Sequence, residues 1–159
     1  MELTPAAVVR ERDWVLDQAD TLVPLINDVR DDLGSAFDTD VDPIDRTDYR
    51  GATEAVFAAG DRAVNVAALV AILREIDVTG DYPGFIVDEV LGRELAAMIA
   101  GQQPLRLLAE ATFHYADVTA HKADGTAGSD DLTAALAAGF QTRLPGWNWR
   151  DGESPFTIE

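Results

Sequence analysis

The sequence predicts an all-α fold: a bundle of about five helices around a central apolar helix spanning 48–77, with an extended C-terminal arm. Three observations predict it. Apolar residues recur at steps of three and four through most of the chain, which is the helical period. Helix-starting and helix-stopping residues stand where those periods begin and end. The links between them are short, and short links favour antiparallel neighbours. The body is expected over residues 1–144 and the arm over 145–159.

Thr4 and Pro5 open the first helix, as N-cap and first helical residue. Val8, Val15, Leu22, Ile26, Val29 and Leu33 follow at steps of 7, 7, 4, 3 and 4, and Gly34 is the expected stop. Pro24 interrupts this run, so either the helix kinks or Asp20 caps a second helix. Residues 35–47 hold four aspartates and a proline with no helical period and read as a loop. A calcium loop counted from Asp38 would need Gly at its sixth position and Glu at its twelfth. Pro43 and Tyr49 stand there instead. The loop is then either a low-specificity cation site or a solvated acidic stretch.

The second long run places Tyr49, Ala52, Val56, Ala59, Ala63, Val66, Val70 and Leu73 on one face. Between Ala63 and Leu73 only Asn65 is polar, so this helix is expected to be buried on all sides, with Asn65 bonded to a neighbour. Gly60 inside it predicts a kink or a close helix contact. A third helix is expected from about Pro83 to Ala100, with Val87, Leu91, Leu95 and Met98 inward and Gly101 ending it. A fourth starts at Pro104, with Leu105, Leu108, Thr112 and Tyr115 in one stripe. Ser129 caps a fifth, edged by Leu132, Leu136 and Phe140.

Composition narrows the setting. Acidic residues outnumber basic ones by 29 to 12, a formal charge of −17 on 159 residues. Twenty of the acids are Asp, and Lys122 is the sole lysine. Such a surface repels itself and gains from screening by salt, so the chain reads as a protein of a salt-in halophilic archaeon. A GC-rich bacterium is the other source of this composition. Scattered arginines, most beside acids, argue against direct nucleic-acid binding. No apolar run reaches the roughly 20 residues that span a bilayer. The N-terminus, with acidic Glu2, lacks the plan of a secretory signal peptide. The expected location is the cytoplasm of the halophile or a virion. Cysteine is absent, which excludes disulfides and thiolate chemistry.

Chemistry-bearing patterns are sparse. Glu110, His114, Asp117 and His121 fall at i, i+4, i+7 and i+11 along the fourth helix, a face of metal-ligand types. They lack the paired Glu-x-x-His of bundle di-metal proteins. The competing account is a solvated face with Arg106–Glu110 and Asp117–His121 pairs. Nucleophile elbows and Gly-rich phosphate loops are missing. The expectation is a protein that is not an enzyme and takes no cofactor. The alternative is a cytoplasmic bundle metal protein or enzyme using the Glu110 face. A third reading is an acidic regulator that mimics nucleic acid.

The last residues, PGWNWRDGESPFTIE, have no helical period. Trp147 and Trp149, like Phe156 and Ile158, are two apart and so share a face if the chain is extended. They read either as a cap on their own bundle or as partner-binding residues of an arm. Helices followed by a terminal arm resemble the architecture of head–tail adaptors of tailed viruses. That resemblance covers the whole chain as architecture, without a sequence motif. It implies a homo-oligomeric ring, dodecameric in that family, that contacts a portal protein and sends its arm into a neighbour. A virus of halophilic archaea would account for the acidic surface.

Overall fold

Thr4 caps the first helix: its Oγ1 accepts from the Ala7 N–H at 3.1 Å, and Pro5 is the first helical residue. The computed structural model describes residues 1–58, 60–76, 90–120 and 129–147. Among them lie seven α-helices: α1 (Pro5–Asp17), α2 (Ala19–Ala36), α3 (Arg46–Ala58), α4 (Gly60–Glu75), α5 (Arg93–Ala100), α6 (Leu105–Ala120) and α7 (Ser129–Gln141). The fold is all-α. No single helix among the described residues is long and apolar enough to cross a membrane.

The first predicted helix is two. The chain breaks at Gln18, and Pro24 sits inside α2. The expected apolar stripe holds from Val15 onward, with Val15, Leu22, Ile26, Val29 and Leu33 all buried, while Val8 is half-buried. Burying each such side chain is worth about 1.5–3 kcal/mol. Gly34 does not stop the helix. A Cβ there would lie 2.7 Å from the Thr39 carbonyl oxygen, so Gly34 lets the following loop fold back onto α2. Asp38, at φ +51°, takes the left-handed turn after the helix instead.

That loop is fixed to α2. The Asn27 amide donates to the Ile44 carbonyl at 3.1 Å and accepts the Ile44 N–H at 2.8 Å. Asp45 and Asp48 exchange bonds between side chain and backbone N–H, at 3.0 and 2.9 Å, which starts α3 in the manner of a capping box.

The predicted central helix over 48–77 is corrected. It is broken before Gly60, and α3 and α4 are bent by 110°. A Cβ at Gly60 would meet nothing within 4 Å, so the glycine marks the break and not a close contact. Nor is α4 buried all round: Val64 is 40% exposed and Asn65 is exposed, so Asn65 is no buried linchpin. The most enclosed helix is α7. Leu132, Leu136 and Phe140 are buried as expected, and the alanines at 134, 135, 137 and 138 are buried with them. Small residues allow this. At Gly139 a Cβ would lie 2.7 Å from the Ile99 Cβ, so α5 and α7 touch almost backbone to side chain.

Helices α5, α6 and α7 pack mutually, α1, α3 and α4 form a second group, and α2 lies against α6 and α7. Tyr49 joins the halves. Its ring meets Phe140 edge-on at 5.6 Å, and its hydroxyl donates to the Val15 carbonyl at 2.5 Å. Of the predicted third helix, 93–100 is helical and 90–92 is a π turn, while 83–89 lies outside the described residues.

Candidate functional site

Arg30 on α2 is 1% exposed, and each of its three guanidinium nitrogens donates a hydrogen bond. Nε donates to the Asp42 carbonyl at 3.1 Å, Nη1 to Gln141 Oε1 at 2.8 Å, and Nη2 to the Pro145 carbonyl. The Trp147 ring covers it, with the centroid 5.5 Å from Cζ. Burial lowers the Arg30 pKa from its ordinary value, and the charges of Asp48 and Asp42 oppose that. Four parts of the chain therefore meet on one side chain: α2, the acidic loop, the end of α7 and residues 145–147.

This overturns one expected role. Trp147 is 1% exposed and packs in its own chain, so it is not a partner-binding residue on an outstretched arm. The physical reason is its pair of neighbours, a buried cation for its face and Gln141 for its N–H. Residues 145–147 accordingly belong with the body. Trp149, Phe156 and Ile158 lie outside the described residues.

Beside Arg30, the end of α2 and the loop enclose an open cleft of about 710 Å³, with Asp31, Asp38, Asp40 and Asp42 on its walls. Its one buried cation already holds two carbonyls and an amide oxygen. Among the described residues, no three His, Asp or Glu side chains converge as metal ligands. The calcium-like spacing of Asp38, Asp40 and Asp42 thus makes an acidic wall and no coordination shell.

The face predicted on the fourth helix, now α6, divides. Glu110 is half-buried and faces Arg93, with Oε2 3.9 Å from Nη2. Arg106 pairs with Glu94 at 3.4 Å and not with Glu110 as expected. Asp117 is half-buried, His114 is exposed, and His121 lies outside the described residues. Glu110 and Asp117 therefore flank α6 at its contacts with the body, while His114 points to solvent.

Apart from His114, the exposed described residues of α6 are Leu107, Ala111, Tyr115 and Val118, none of them charged. With His114 they are spaced i, i+4, i+7, i+8 and i+11 along one face. Leu107 is 62%, Tyr115 50% and Val118 64% exposed. Tyr115, expected inside, is outside because Ala109, Thr112, Phe113 and Ala116 fill the inner face. No exposed position of α6 carries an acid. Seven exposed aspartates, Asp28, Asp31, Asp32, Asp38, Asp40, Asp42 and Asp45, lie on α2 and the loop, and Asp13, Asp17, Asp20 and Asp61 are exposed on α1, α2 and α4. The signal was present in the sequence: α6 has more large apolar residues than one buried stripe accommodates.

A family model described as Domain of unknown function (DUF7984) matches residues 1–159. No curated protein and no solved structure matches the chain.

Proposed function

We propose, for a chain that belongs to the DUF7984 family, a non-enzymatic assembly role: a subunit that works by binding other protein subunits, chiefly further copies of itself. The observation that supports this reading is the outward face of α6. A protein of formal charge −17 leaves Leu107, Tyr115 and Val118 open to solvent in one line, with no carboxylate among them. Apolar residues scattered singly on a surface need no explanation, but a contiguous rimmed stripe marks an interaction site. The rim is present in Glu110, Asp117 and Arg106, all half-buried.

The finer reading is a head–tail adaptor of a virus of halophilic archaea, assembled as a ring against a portal. With Trp147 buried, the arm that this reading needs would have to lie within residues 148–159. Trp149, Phe156 and Ile158 are what it offers a neighbour. The metal-protein alternative gains no supporting observation, because Glu110 is engaged with Arg93.

Mass photometry and sedimentation velocity in molar KCl test the proposal. A concentration-dependent oligomer is expected; a monomer at every concentration and salt overturns it. The arm is tested by Trp149→Ser with Phe156→Ser in the full chain, since removing the whole segment 145–159 would also take away the buried Trp147.

A further inference from the structure

We infer that α1 is an exchange arm: it swings about Gln18 and seats on α3 and α4 of a second copy, whose own α1 takes the vacated place. This rests on the assembly reading and adds to it the moving element, the hinge and the seat.

The hinge is a break that the local sequence does not demand. No glycine or proline stands between residues 16 and 20, and Pro24 withdraws a bond from Asp20, inside α2, and not from the break. The bonds there run three residues back, where those of an α-helix run four. The Gln18 N–H goes to the Val15 carbonyl at 3.1 Å, and the Thr21 N–H to the Gln18 carbonyl at 3.0 Å. Gln18 itself, at φ −81° and ψ 6°, lies roughly 50° of ψ from helical values. One continuous helix over 5–36 is therefore the second form of this segment.

What holds the bent form is tertiary. Helix α1 lies chiefly on α3 and α4 and touches α2 little. Its buried residues are Ala7, Glu11 and Val15, so a carboxylate fills the middle of its inward stripe. Glu11 meets Arg74 of α4 at 2.6 Å, and Arg74 covers Trp14 at 4.5 Å from the ring centroid. Tyr49 of α3 donates to the Val15 carbonyl at 2.5 Å. A cleft of about 300 Å³ among Leu16, Ala19, Tyr49 and Arg50 leaves the bend itself loosely packed. An element with few buried apolar contacts belongs to the least stable part of a fold and opens as a unit.

The occupant of the vacated seat follows from what fills it in this structure. The α1 of a second copy brings the same carboxylate, indole and carbonyl in the same register. An exchanged pair thus keeps the contacts to Arg74 and Tyr49 and adds helix bonds across the hinge. A short link between elements invites such a swap, and mutual exchange closes as a two-fold dimer. Repulsion between two bodies of formal charge −17 opposes it, so molar salt favours the dimer.

Charge reversal separates exchange from closure within one chain. Glu11→Arg and Arg74→Glu each set like charges together in their own seat. Mixed one to one, an exchanged pair places the native Glu11 of one variant on the native Arg74 of the other, and the reversed pair fills the second seat. Sedimentation velocity in molar KCl compares the mixture, each variant alone, wild type, and a chain with both substitutions, from about 1 to about 100 µM. A dimer is expected in the mixture at least about tenfold tighter than in either variant alone. The doubly substituted chain should behave as wild type. Gln18→Gly suits the break and weakens a continuous helix, so it should loosen the wild-type dimer about fivefold or more with unchanged melting of the monomer.

A mixture without a heterodimer, where the doubly substituted chain folds, overturns the exchange. Where that chain fails to fold, unchanged association in Gln18→Gly overturns it. In both cases the assembly reading stands if wild type still oligomerises. A wild type that is monomeric throughout, with no heterodimer in the mixture, overturns both.

Discussion

Trp147 donates its indole N–H to Gln141 Oε1 at 3.0 Å, and the same oxygen accepts Arg30 Nη1 at 2.8 Å. One amide oxygen thus serves two buried donors from opposite ends of the chain. Gln141 Nε2 donates in turn to the Ile26 carbonyl at 3.4 Å. Gln141→Leu fills the space but strands both donors. A loss of about 3 kcal/mol is expected, at about 1–3 kcal/mol for each buried group left without a partner. Urea unfolding in molar KCl measures it; a loss under about 1 kcal/mol would show that the site rehydrates.

Gly146→Ala and Gly51→Ala should move stability in opposite directions. Gly146 has φ +102°, and a Cβ there would lie 2.6 Å from Arg30 Nη2. Strain of this kind costs about 1–3 kcal/mol. Gly51 is exposed inside α3, and its Cβ would meet nothing within 4 Å, so alanine gains about 0.5–1 kcal/mol of helix propensity. Paired thermal melts read both signs.

Tyr49 makes the fold sensitive to alkali. Burial raises its pKa above the ordinary value, partly offset by a hydrogen bond with Thr53. The folded state holds the phenol proton more tightly than the unfolded chain does. Its contribution is therefore complete below about pH 10, the ordinary tyrosine value, and declines as pH rises toward the folded value. Tyr49→Phe should cost about 1 kcal/mol at neutral pH through the lost bond to Val15, and should flatten the decline above about pH 10. An unchanged alkaline slope in Tyr49→Phe would assign the decline to another group.

Glu11 is buried on α1, with Arg74 Nη1 at 2.6 Å and Arg10 Nε at 3.2 Å. Arg74 also lies over Trp14, 4.5 Å from the ring centroid. Arg74→Met should cost about 2 kcal/mol, because it leaves an enclosed carboxylate with one partner and uncovers the indole. Glu11→Gln should cost less, since a neutral amide needs no counter-charge. Chemical denaturation of the two variants gives the order, and the reverse order would refute this account.

Salt should stabilise the whole chain. Screening weakens repulsion among the aspartates of α2 and the loop, so the melting temperature is expected to climb from about 0.1 to about 3 M KCl. A flat or falling curve removes the halophile reading.

The helical body was legible because its evidence is local. Thr4 and Pro5 start a helix whatever follows, and Val15, Leu22, Ile26 and Val29 share a stripe that needs a core. What escaped depends on distant partners. Arg30 reads as an ordinary surface arginine until residues 42, 141 and 145 converge on it. Trp147 looks like an anchor for another molecule for the same reason. Periodicity also ranked the helices wrongly. The run at 63–73 is apolar at every position but Asn65, yet Val64 and Asn65 face solvent, while the small alanines of α7 are buried on successive faces because other helices pack around them. On α6 the apolar residues were visible, but which of two stripes faces inward was decided by α5 and α7.

The arrangement around Arg30 has a consequence for how the protein is made. Its acceptors include the carbonyl of residue 145, and its lid is residue 147, more than a hundred positions downstream. During synthesis that guanidinium has no complete set of partners until residue 147 has left the ribosome. A polypeptide that stops short of residue 141 offers that cation neither the Gln141 amide nor the Trp147 ring, so the core around α2 closes only after the segment that follows α7 has been made.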